Sequence, residues 1–246
     1  IASREQKRMH DDDGRRRRGD AGRRRRRRDL RGSAVNLPDW VIRDLERVTP
    51  RERIGPALEE LGAASAALAE GRFPAALRHA RRAKELAPRD VTVRETLGIA
   101  AYRVGDWNLA LRELRAYRRL AGDTRHLPVE MDVLRALERP RDLERAWQEL
   151  RRRGGRPEVL EEGRVVYASH LLDTGRVAEA WELTRPERLE ANPSEARLRV
   201  WYVAARAAAR RGDARGARRL ADAIVSRDPG FPGIDELELE IAAAGR

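Results

Sequence analysis

The sequence predicts an all-α protein built from about five similar helix hairpins, and three observations carry that expectation. The stretch "GRFPAALRHARRAKELAP" at 71–88 returns thirty-four residues later as "GDWNLALRELRAYRRLAG" at 105–122. Gly71 then matches Gly105, Phe73 matches Trp107, and Ala76-Leu77 matches Ala110-Leu111. Apolar residues from about 55 to 229 recur at helical spacing, interrupted at regular places by Gly, Pro and Asp. Aromatic residues make up only 4% of the chain, so Leu, Ala and Val must build the core, which suits helices better than sheets.

The first element is an arm, residues 1–35, with fourteen basic residues against six acidic ones. Its net charge of +8 is most of the chain's +12. It has almost nothing apolar to bury, so it is expected to be disordered when free. The chain starts at Ile1 instead of a methionine, which leaves open a longer parent chain or a start near Met9. Residues 36–56 read as a capping helix and a junction. In "LPDWVIRDLERVT", residues 37–49, Trp40, Val41, Leu45 and Val48 can share one face, and Pro38 and Asp39 suit a helix start.

Five units follow over 57–231. With the hairpin turn at position 15 of a 34-residue repeat, they fall at 57–90, 91–124, 127–160, 161–194 and 198–231. A small residue in each second helix sets this register: Ala76, Ala110, Ala146, Ala180 and Ala217. Three residues earlier stand Phe73, Trp107, Leu143, Val177 and Ala214. The turn glycine is Gly71, Gly105, Gly175 and Gly212; Arg141 takes its place in the third unit, after Pro140. Asp106, Asp142 and Asp213 follow the turns and are placed to cap the next helix. No such pair hides its apolar face alone, whereas stacked pairs share one core. Residues 232–246 close the chain with an acidic helix, in which Ile234, Leu237 and Ile241 are expected to seal the last hairpin.

Over roughly residues 57–231 this pattern resembles the tetratricopeptide repeat (TPR) family. The match lies in the period and the second helices. The first-helix signature is degraded, since only the fifth unit has its tryptophan, Trp201, and only the second its glycine, Gly98. The resemblance implies a right-handed superhelix, or solenoid, of TPR-like hairpins whose inner face binds an extended peptide or a helix. Positions 2, 5, 9, 12 and 13 of each first helix would line it. In the first unit these are Leu58, Leu61, Ser65, Leu68 and Ala69, with the apolar part expected to be covered by helix 37–49. The second unit offers Thr92, Glu95, Ile99, Tyr102 and Arg103. The fourth offers Glu162, Val165, Ser169, Leu172 and Asp173, and the fifth Arg199, Tyr202, Arg206, Ala209 and Arg210. Asn36, Asn108 and Asn192 all miss these positions, so the Lys/Asn carboxylate clamp of some family members is absent. Arg199, Arg206 and Arg210 suggest a basic end that favours an acidic protein or peptide partner.

The arm offers a second mode. Arg15, Arg16, Arg17 and Arg18 form one cluster, and Arg23, Arg24, Arg25, Arg26, Arg27 and Arg28 another. Such clusters donate bidentate hydrogen bonds to phosphates and bind RNA or DNA with little base specificity. Interleaved aromatics for base stacking are missing. A solubilising tail and an anionic membrane are the competing readings; no apolar insertion face accompanies the arginines. Catalysis finds no support. Ser169 and His170 are adjacent on a helix and so point in different directions. His10, His79, His126 and His170 share no metal-ligand spacing, no nucleotide-binding glycine loop is present, and no cofactor is expected. Without cysteine there is no thiolate chemistry, and no apolar run is long enough to span a bilayer. The expectation is a non-enzymatic, cytoplasmic protein-binding scaffold, with nucleic-acid or ribonucleoprotein association, RNA before DNA, as the alternative.

Overall fold

The computed structural model describes residues 37–245, and the arginine clusters of the arm lie outside them. Among the described residues there are twelve α-helices and no strand. No helix there is long and apolar enough to cross a membrane. The chain divides into two compact units, one ending at Gly105 and the other beginning at Asp106.

In the first unit the helices are α1 (Asp39–Val48), α2 (Arg51–Ala69), α3 (Phe73–Leu86) and α4 (Val91–Arg103). The junction at 51–56 is helical, a difference from the sequence expectation. Pro56 is tolerated near the start of α2, where it forfeits a single backbone donor, and Glu52 lies in the favourable first turn. Val41, Ile42 and Leu45 of α1 are buried in one cluster with Ala57, Leu58 and Leu61 of α2, joined by Ala83, Ala87 and Val93. Trp40 and Val48 do not share that face; they flank it and remain 51% and 38% exposed.

The second unit holds α5 (Trp107–Ala121), α6 (Leu127–Ala136), α7 (Pro140–Arg153), α8 (Pro157–Asp173), α9 (Val177–Thr184), α10 (Glu195–Arg210), α11 (Ala214–Val225) and α12 (Ile234–Ala244). Here α6 touches α7 and α8, α8 touches α9 and α10, and α10 touches α11 and α12. The close approach of α10 to its neighbours rests on Ala204, Ala205, Ala207, Ala208 and Ala209, all buried. Leu237 and Ile241 of α12 are buried as expected, and Ile234 is half-buried.

The hairpin turns share one backbone pattern. At Gly71, Gly105, Gly175 and Gly212 φ lies between +72° and +86°, the region where only glycine escapes a steric cost. The residue five places on donates its N–H across the first turn of the new helix: Ala76 to Arg72, Ala110 to Asp106, Ala180 to Arg176 and Ala217 to Asp213. All four alanines are 0% exposed.

The third hairpin follows the same pattern in a different register. Its left-handed residue is Glu138, at φ 53°, and the equivalent N–H bond runs from Leu143 to Arg139. Leu143, 0% exposed, therefore takes the place expected for Ala146, and the sequence register there was three residues late. Pro140 takes the place of Phe73, Trp107, Val177 and Ala214, each the first residue of its helix. Proline suits that position because its missing N–H would have no helical partner there. Asp142 consequently lies inside α7, paired with Arg139 and Arg145, and caps nothing. Asp106 and Asp213 do cap, accepting from Leu109 and Gly216 N–H. So do two residues the sequence reading passed over, Asp90 and Ser194, which accept from Val93 and Arg197 N–H.

Candidate interaction surface

The side chains named for a binding face fall on the first helix of each hairpin, and their surroundings differ between the units. On α2, Leu58 and Leu61 are 4% and 0% exposed, in the cluster that includes α1, so they face no ligand. Ser65 donates to the Leu61 carbonyl at 2.9 Å. On α4, Ile99 and Tyr102 are half-buried and Arg103 is exposed. The Arg103 guanidinium lies 3.9 Å from the centroid of the Phe73 ring, a cation–π contact that ties α4 to α3.

In the second unit the expected face is a ladder of ion pairs between successive first helices. Arg135 of α6 donates to Asp173 of α8 at 2.8 Å and also pairs with Asp132. Arg199 of α10 bridges Glu162 of α8 and Glu195 of its own helix. Arg206 donates from Nε and Nη2 to Glu240 Oε1 of α12, at 3.0 and 2.7 Å. Arg210 donates to the Leu172 carbonyl at 3.1 Å and reaches Glu240 at 3.5 Å. Ser169 is half-buried beside this ladder. Tyr202 donates its hydroxyl to the Gly233 carbonyl at 3.1 Å, and burial raises its pKa. Burial opposes the charge on Arg135 and Arg206, but their carboxylate partners outweigh it and raise both pKa values.

This arrangement corrects the picture of a basic end. Four arginines, Arg135, Arg199, Arg206 and Arg210, face five carboxylates, Asp132, Glu162, Asp173, Glu195 and Glu240. The ladder is close to neutral, so it exerts no general pull on acidic ligands. A carboxylate from a partner would meet arginines that already hold internal carboxylates. The signal was present in the sequence, because Arg135 and Asp173 are 38 residues apart and Glu162 and Arg199 are 37 apart, close to the repeat length.

One arginine in this region is unlike the rest. Arg164 of α8 is half-buried, and its Nε is buried with no hydrogen-bond partner among the described residues. Burial lowers its pKa, and the nearby Arg197 lowers it further. Arg197 itself is held by Glu161 at 2.7 Å and Glu190 at 3.2 Å. His170 is buried at 6% exposure, its ring centroid 6.2 Å from that of Tyr167, and burial lowers its pKa.

No family model matches the chain, and a search of the curated proteins found no match either.

Proposed function

We propose that the chain is a non-enzymatic scaffold of the TPR-like kind. Its five hairpins form a right-handed solenoid that holds a protein or peptide along the first-helix face. The observation that carries this reading is the hairpin turn that recurs five times with the same backbone bonds. Each time it is followed by a fully buried residue at the same offset: Ala76, Ala110, Leu143, Ala180 and Ala217. A repeating unit with a buried inner seam presents its side chains at regular intervals, which suits an extended partner. The near-neutral ladder makes polar and apolar groups such as Ile99, Ser169 and Tyr202 the main contacts, with partner carboxylates exchanging onto Arg199, Arg206 and Arg210.

A second reading has its own support. The arm's +8 charge suits polyanion binding by phosphate contact, RNA before DNA, and it can operate beside a protein-binding face. Affinity capture with the full chain, with and without nuclease, separates the two. Partner proteins retained after nuclease treatment are the expected result for the scaffold. Complete loss on nuclease treatment transfers the function to the arm.

A further inference from the structure

Beyond the arm, the excess positive charge of the chain sits in one place. Residues 118–125 and 149–158 hold seven basic residues against three acidic ones, a net +4. Residues 36–246 as a whole carry the same +4, so the rest of them is balanced. The two stretches are the C-terminal ends of α5 and α7 with the turns that follow them.

The fold joins these ends. Arg118 of α5 donates to Glu149 of α7 at 2.7 Å. Arg153 of α7 donates to the Gly122 carbonyl at 2.6 Å, and Thr124 donates its hydroxyl to the Gly154 carbonyl at 2.8 Å. Arg119 and Arg152 are 33 residues apart, the offset that also separates Ala110 from Leu143. They therefore hold equivalent places on two successive second helices.

The arginines of this surface divide into two groups. Arg118 and Arg153 are turned inward, onto Glu130 and Glu149. Arg119, Arg151, Arg152 and Arg156 are exposed and have no ion pair among the described residues. The neighbouring carboxylates are engaged elsewhere. Glu130 is 1% exposed under Arg118, Glu149 already holds two arginines, and Asp123 accepts from the Tyr117 hydroxyl at 3.0 Å. That leaves Glu158, exposed at the start of α8, against four unpaired guanidinium groups. The first-helix ladder of the same unit is close to neutral, so this excess is local.

The chemistry of the surface defines its ligand. Clustered, exposed guanidinium groups match phosphate oxygens and read no base. The aromatic rings of the same two helices are withheld, since Tyr117 and Trp147 are 3% and 5% exposed, so unpaired bases find nothing to stack on. A duplex, whose bases are already stacked, asks only for phosphate contacts.

We propose that the joined ends of α5 and α7 form a docking surface for the phosphate backbone of a nucleic-acid duplex. The inference rests on the polyanion reading and deepens it. The arm, at +8, supplies the larger share of the attraction, and this surface fixes where on the helical part the duplex lies.

The test is fluorescence anisotropy of a short labelled RNA duplex titrated with the full chain over a range of salt. One variant changes Arg119, Arg151, Arg152 and Arg156 to Ser. A charge-matched control changes Arg43, Arg89, Arg215 and Arg219 to Ser; these are also exposed and without an ion pair among the described residues. The docking variant should lose more than about tenfold in affinity at about 0.1 M salt, and its slope of log affinity against log salt should fall by about 3. The control should lose far less, and both should keep their helical circular dichroism. A third variant with Lys at the four docking positions keeps the charge and should keep most of the slope. If the wild-type chain binds the duplex and the docking variant matches the control, this inference is overturned while the arm reading stands. A wild-type chain that does not bind the duplex overturns both. If the docking variant keeps its duplex affinity but no longer captures an acidic protein, the surface belongs to that protein and the proposal fails.

Discussion

Gly163 lies where α8 crosses α7, and nothing in the turn pattern singles it out. A Cβ at this position would collide with Leu150 Cδ2 and come within 3.5 Å of Trp147 Cζ3. Leu150 is 0% exposed and Trp147 is stacked on Tyr167 at 5.2 Å, so neither yields easily. Helix propensity alone would have Gly163→Ala stabilise by about 1 kcal/mol. Overpacking is the larger effect, and the substitution should cost about 1–3 kcal/mol in chemical denaturation. A more stable variant would show that the crossing is looser than described. His170 gives a prediction with pH. Burial lowers its pKa below 6.5; Glu144 and Asp173 favour its charge, while Arg176 and Arg135 oppose it. A histidine lowered in the folded state contributes stability that is present above the unfolded pKa and lost as pH falls through the folded one. Stability should thus decline on acidification below about pH 6.5, and His170→Gln should flatten that decline. An unchanged slope in the variant would assign the loss to other groups.

At the scale of elements, α5, α6 and α7 meet on a buried carboxylate. Glu130 of α6 is 1% exposed and accepts from Arg118 of α5 at 2.9 Å, with Arg115 at 4.0 Å. Arg118 also donates to Glu149 of α7 at 2.7 Å. Burial nevertheless raises the pKa of Glu130, so its pH contribution opposes that of His170 and adds stability as pH falls through the raised value. Glu130→Ala leaves Arg118 with Glu149 as its remaining partner and should cost about 1–3 kcal/mol by denaturant melt. A loss below about 1 kcal/mol would mean that the network behaves as a surface pair.

This region also shows where the sequence was legible and where it was not. Four turns were readable because a positive φ calls for glycine, and Gly71, Gly105, Gly175 and Gly212 supply it. The third turn uses Glu138 instead, so no glycine marks it, and the helix begins directly at Pro140. Val41 and Leu45 were readable as core from their spacing, but Trp40 was not readable as surface, because a bulky apolar residue beside a stripe is ambiguous until its helix has a neighbour. The charge balance of the candidate face was not legible. Arg199 and Arg206 looked free until Glu162 and Glu240 were brought to them across the repeat.

At the scale of the whole molecule, the charge is divided between an arm of +8 and a remainder of only +4. If the arm carries the polyanion contacts, deleting residues 1–35 should remove most RNA and DNA binding and leave the melting temperature of the helical part unchanged. Binding by the full chain should weaken steeply with salt as counterions are released. Equal nucleic-acid affinity in both chains would contradict the division, and so would a strong preference for one short sequence at high salt, which phosphate contacts cannot supply.

The central claim is that a protein partner lies along the first helices, and site-specific photo-cross-linking tests it most directly. The cross-linking side chain is placed in turn at Ile99 and Ser169 on first helices, and at Arg78 and Arg219 on the exposed sides of α3 and α11. After nuclease treatment, the account predicts cross-links to the same partner from Ile99 and Ser169 and none from Arg78 or Arg219. Cross-links from Arg78 and Arg219 alone, or cross-links that vanish with nuclease at every position, would contradict it.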